Sequence, residues 1–180
     1  MKGPTGIIPA IRQLKDFEKA LDSDYEWIVL LETRLGQIKS LVDYAKRKDK
    51  KVLIHLDLVQ GLKADEYGVE YIAREVKPEG ILTTRNSVVE SVKKHQLLAI
   101  QRLFLLDSLS LDNNLKLSGR SKADFIEVLP GTIPQVIKEI KEQTDIPIIA
   151  GGLIRNNEEV QAAYNAGAIA ISTSSTEVWN

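Results

Sequence analysis

Ionisable side chains interrupt otherwise apolar runs in this 180-residue chain, and their types suggest recognition of a small polar ligand. Arg12, Arg85 and Arg102 end or interrupt three such runs, and a planar, permanently charged guanidinium is suited to binding an anion. An arginine inside a strand is also expensive unless paired, so a structural ion-pair network with Asp57 and Glu127 is the competing reading. The two readings are compatible. Asp57 and Glu127 are the carboxylates best placed to accept hydrogen bonds from ligand hydroxyls, which suits a polyol. As a catalytic acid–base pair they would need their pKa values pushed apart. His55 would serve as a general base or, more commonly for a lone strand histidine, as a satisfied structural residue. In VLIHLDL, Leu53, His55 and Asp57 share a face by period two, so His55 and Asp57 are expected to point together.

The stretch PIIAGGLIRNNEEVQAAYNAGAIAISTSS, Pro147 to Ser175, adds a phosphate signature. It reads strand, Gly151-Gly152, helix, strand, then Thr173, Ser174 and Ser175. Glycines let backbone approach a ligand closely, and hydroxyls beside backbone N–H groups favour an anion. Many (β/α)8 barrels build a phosphate site in this way from their last two units.

Those residues need a scaffold, and the pattern supplies one. Eight apolar runs read as strands: Ile7–Arg12, Trp27–Thr33, Val52–Leu58, Gly80–Arg85, Leu97–Leu106, Phe125–Gly131, Pro147–Ile154 and Ala168–Ser175. Between them, apolar residues recur at helical spacing, as in Ile38, Leu41, Val42 and Ala45, or Ile133, Val136, Ile137 and Ile140. Asn156 or Asn157 is expected to cap one helix, and Gly80 and Gly167 to mark helix ends. Strict alternation implies a parallel sheet. The fold class is therefore α/β, a small TIM-like (β/α)8 barrel occupying residues 1–180 as a single domain. Thr176–Asn180 is too short for a final helix, which is truncated or missing. Apolar flanks near Ile7 and Ile169 would then need cover, for which a partner subunit in a homo-oligomer is the expected candidate.

The composition excludes several chemistries. There is no cysteine, so thiol catalysis, thiolate metal sites and disulfides are ruled out. Two histidines without ligand spacing give no metal site. The lysines avoid the expected C-terminal ends of the strands, which argues against Schiff-base chemistry. The N-terminus lacks a signal-peptide h-region and no apolar run would span a membrane, so a cytoplasmic location is expected. With a net charge of -1 the chain is not a bulk polycation. Its basic clusters, Lys46, Arg47, Lys48, Lys50 and Lys51 and then Lys93 and Lys94, end helices on the opposite face. They read as dipole complementation and solvation or, alternatively, as an RNA-backbone surface.

The motifs IPAIR, HLDLVQGL, GILTTR, QRLFLLD, IEVLPG, AGGLI and STSS, in this order, resemble the bacterial glycerol-3-phosphate-responsive antiterminators, regulators of glycerol uptake operons. The resemblance runs from about Ile7 to Trp179. It implies a barrel that binds glycerol 3-phosphate as effector, without another cofactor, and acts without catalysis on the leader mRNA of glycerol genes. The family motifs fall on Arg12, His55, Asp57, Gln60, Gly61, Thr84, Arg85, Arg102, Glu127, Gly131, Gly151, Gly152, Thr173, Ser174 and Ser175. The alternatives are a phosphotriose or phosphopolyol isomerase or lyase, and a metabolite sensor that binds protein rather than RNA.

Overall fold

The computed structural model describes residues 3–107, 109, 110, 113, 116 and 121–179. Eight parallel strands close into a barrel: β1 Gly6–Ile11, β2 Trp27–Leu30, β3 Lys51–His55, β4 Gly80–Thr83, β5 Leu98–Phe104, β6 Phe125–Leu129, β7 Ile148–Gly151 and β8 Ala170–Thr173. They neighbour one another in chain order, and β8 closes on β1 with Gly6 opposite Ala170. Every expected strand is present. The ends are trimmed because the predicted runs continued into turns.

Helices α1 Phe17–Asp22, α2 Leu35–Arg47, α3 Glu66–Tyr71, α4 Asn86–Lys94, α5 Pro134–Gln143 and α6 Asn157–Asn165 lie outside the strands. Their apolar stripes pack on the barrel's outer face: Ile38, Val42 and Ala45 from α2, and Ile137 and Ile140 from α5, are all fully buried. Ile133 falls just before α5 and is exposed. Asn156 caps α6, its side chain accepting from the Glu159 N–H at 2.9 Å. A second, smaller core fills the barrel with inward residues that include Ile8, Val29, Leu53, Leu82, Ile100 and Ile149. These alternate along their strands with the residues that face the helices.

Two expectations about chain ends and coverage need correction. Gly80 does not stop a helix; it opens β4, where a Cβ would lie 2.7 Å from the Leu98 carbonyl oxygen. The preceding helical segment instead ends at Lys77, with φ of 58°. The apolar flank near Ile7 is closed by the chain itself. In place of a final helix, residues 176–179 form a turn that buries Val178 and Trp179 in the outer core beside Ile7. The Trp179 indole Nε1 donates to the Thr173 carbonyl at 2.9 Å. Ile169 remains partly exposed.

Candidate functional site

A cavity of about 690 Å³ opens at the C-terminal ends of the strands. Units one, two and five to eight build it, and its walls differ in character. One wall is polar: Gly152 and Arg155 follow β7, Thr173 ends β8, Ser172 precedes it, and Ser174 and Ser175 follow it. The facing wall is apolar, from Phe104, Leu106, Leu129 and Leu153. Arg12 stands at the rim after β1, and Arg102 and Glu127 lie deepest.

The hydroxyl cluster does structural work as well as lining the site. Thr173 Oγ1 donates to the Ile154 carbonyl at 2.6 Å and accepts from the Ser175 N–H at 3.0 Å. Ser175 Oγ donates to the Arg155 carbonyl at 3.0 Å. These bonds lock the loops after β7 and β8 together. Ser174 is exposed and makes no hydrogen bond within the described residues, so its N–H and hydroxyl remain available. Gly152 has φ of 73°, a left-handed conformation suited to glycine. Gly151 serves a different purpose: a Cβ there would lie 2.7 Å from Glu127 Oε1, so glycine makes room for that carboxylate.

Glu127 and Arg102 face each other across paired strands β6 and β5. Arg102 Nε meets Glu127 Oε2 at 2.5 Å, with the side chains only 7% and 1% exposed. The structural-pair reading therefore holds for this arginine. Arg12 instead approaches Glu32 at 3.5 Å, with both side chains largely in solvent, a geometry that contributes little stability. Arg85 is exposed and lies outside the cavity lining.

His55 and Asp57 depart from the expected arrangement. The chain leaves β3 at His55, and Leu56–Leu58 form a 3₁₀ turn, so period-two alternation fails there. Neither residue lines the cavity. Asp57 accepts from Thr83 Oγ1, the Thr84 N–H and Thr84 Oγ1, each at 2.7 Å. It ties the β4–α4 loop to β3 and has little capacity left for ligand hydroxyls. Burial works to raise its pKa, but the facing His55 and the donors of Thr84 and Thr83 outweigh this and hold the carboxyl well below the usual carboxylate range. His55 Nε2 is 3.7 Å from Asp57 Oδ2, too long for a hydrogen bond, and both ring nitrogens are buried without partners.

Asp57→Ala should therefore cost about 2–3 kcal/mol, because it removes charged hydrogen bonds and leaves buried donors unpaired. Asp57→Asn isolates the charge. A carboxyl with a depressed folded pKa stabilises above its unfolded value near ~4, and that stability drains as pH falls toward the folded value. Urea unfolding below about pH 4 should show a shallower acid loss in Asp57→Asn than in wild type; parallel curves would refute this role.

Of the expected ligand residues, Arg12, Arg102, Glu127, Gly152, Thr173, Ser174 and Ser175 thus share one cavity, whereas His55, Asp57, Arg85 and Gly151 do not line it. The apolar wall was missed, because Phe104 and Leu106 read as continuing strand.

On the opposite face, most of the basic cluster is engaged. Lys46 pairs with Glu79 at 2.9 Å, Lys51 with Glu26 at 2.7 Å, and Lys93 with Asp124. Lys50 is buried, donating to the carbonyls of Ser23 and Tyr25, so it is withdrawn from any RNA surface. Arg47 stacks over Tyr44, 5.5 Å from the ring centroid. Lys48 and Lys94 are exposed. No helix among the described residues is long and apolar enough to cross a membrane.

Comparison with known proteins agrees with this architecture. A Listeria monocytogenes glycerol uptake operon antiterminator regulatory protein superposes with a TM-score of 0.94 at 43% identity, covering 98% of this chain and 96% of that one. A glycerol uptake operon antiterminator-related protein from Thermotoga maritima gives 0.86 at 27% identity, covering 97% and 98%. The Escherichia coli (strain K12) protein YgcP, described as uncharacterized, is 33% identical over 173 residues, 96% of this chain and 91% of YgcP. The family model for the glycerol-3-phosphate responsive antiterminator matches residues 7–179. On that match, and on a barrel shared nearly end to end, this chain belongs to the glycerol-3-phosphate responsive antiterminator family.

Proposed function

We propose that this protein is an effector-gated regulator. It binds glycerol 3-phosphate in the cavity and, when loaded, binds the leader mRNA of glycerol genes, promoting read-through of a terminator and stabilising the transcript. The observation that carries the ligand half is the charge of the lining: Arg12, Arg102 and Arg155 against the single carboxylate of Glu127. Glu127 neutralises Arg102, leaving Arg12 and Arg155 on the polar side for a phosphate dianion. Gly152, Ser174 and Ser175 stand beside them to donate hydrogen bonds. Family membership supports the RNA half.

The enzyme alternative finds little support in the same cavity. No lysine or histidine lines it, and its one carboxylate is committed to an arginine. Turnover assays with three-carbon phosphates should show no product.

The test of the regulatory reading is filter binding of leader RNA with and without glycerol 3-phosphate, across a salt series. Affinity should rise with ligand. A hundredfold rise corresponds to about 2.7 kcal/mol of coupling. RNA affinity that stays flat at saturating ligand refutes the gating.

A further inference from the structure

We infer that the Arg102–Glu127 pair selects the ligand's neutral, hydroxyl-bearing end; this rests on the proposed phosphate site and deepens it. The pair forms the cavity floor. Both residues line the cavity, and Glu127 also borders the closed apolar interior below it with Leu53, Leu82 and Ile100.

Buried ion pairs are stable only when their remaining donors and acceptors are also satisfied. This pair is incomplete. Arg102 uses only Nε on Glu127, leaving its terminal N–H groups without an acceptor among the described residues. Glu127 Oε1 is buried with no partner at all. The floor therefore offers donors and an acceptor side by side with no net charge.

A hydroxyl matches that combination, since it accepts from the guanidinium and donates to the carboxylate. An alkyl end satisfies neither group. A carboxylate end brings acceptors alone and a second negative charge against Glu127, so it is repelled by a group already in place. The spacing is suitable. One strand separates β6 from β8, so Glu127 and Ser172 stand roughly 9–10 Å apart along the wall. That is the span of a three-carbon phosphomonoester with a hydrogen bond at each end. The ligand class is thus a small phosphomonoester whose far end carries hydroxyls and no charge.

The test is calorimetric titration of the whole chain with glycerol 3-phosphate, propyl phosphate and 3-phosphoglycerate. Wild type should prefer glycerol 3-phosphate over each of the others by about tenfold or more, as expected for the loss of one or two hydrogen bonds to charged groups. Glu127→Gln removes the floor's negative charge and leaves Arg102 unbalanced, so 3-phosphoglycerate should then bind at least as tightly as glycerol 3-phosphate. A purely structural role would weaken all three ligands alike. Equal wild-type binding of propyl phosphate and glycerol 3-phosphate overturns the selection while leaving the phosphate site standing. Absence of binding by all three overturns both. The wild-type series decides the matter even if the variant fails to fold.

Discussion

Glu127→Ala should lower the unfolding free energy by about 3–5 kcal/mol, the largest effect expected of any single change in the barrel lining. The cost comes from the partner left behind. Arg102 is 7% exposed and its guanidinium cannot shed its charge. Removing both members is expected to be far milder: Arg102→Met combined with Glu127→Met replaces a desolvated pair with apolar volume, which is often neutral or stabilising. Urea unfolding of the two single variants and the double variant forms a cycle that measures the coupling. If the single losses simply add in the double variant, the pair is not the unit described here. The double variant should also lose its preference for the hydroxylated ligand, because the floor would offer no polar group.

Trp179→Ala should cost about 3–5 kcal/mol, the usual range for emptying a buried indole site. Trp179 is 4% exposed and substitutes for the absent final helix by covering the outward side of the closing strands. Its hydrogen bond to the Thr173 carbonyl is lost as well. Trp179→Phe keeps most of the apolar contact and drops the donor, so it should fall between the two. Thermal unfolding of the three proteins orders them. A Trp179→Ala melting temperature within a degree or two of wild type would mean that the turn merely rests on the barrel.

Much of this architecture was legible in the sequence, for identifiable reasons. Strands of a closed parallel barrel are buried on both faces, so each stands out as a near-continuous apolar run. The helices announced themselves by period, and Asn156 by its place before Glu158 and Glu159. The limits were equally physical. VLIHLDL keeps its alternation past the point where the backbone turns at Leu56, so Asp57 was assigned to the mouth when it ties a loop. Nothing in a lysine signals the left-handed conformation that Lys77 adopts to end its helix. Arg102 and Glu127 were both visible as strand residues, but their partnership depends on the β5–β6 register, which pattern alone does not fix. Lys50 looked like surface charge because its two acceptors are backbone carbonyls, invisible to any reading of side chains.

The latch between Trp179 and Thr173 has a spectroscopic consequence. The chain has two tryptophans, and they occupy opposite ends of the barrel. Trp27 lies in the inner core near the strand starts, with Lys51 Nζ 5.2 Å from its ring centroid. Trp179 is bonded to the strand end that leads directly into Ser174 and Ser175. A ligand seated on those serines lies next to one fluorophore and a barrel's length from the other. Replacing Trp27 with phenylalanine would leave a single native emitter whose intensity and quenching follow occupancy of the polar wall without any attached dye.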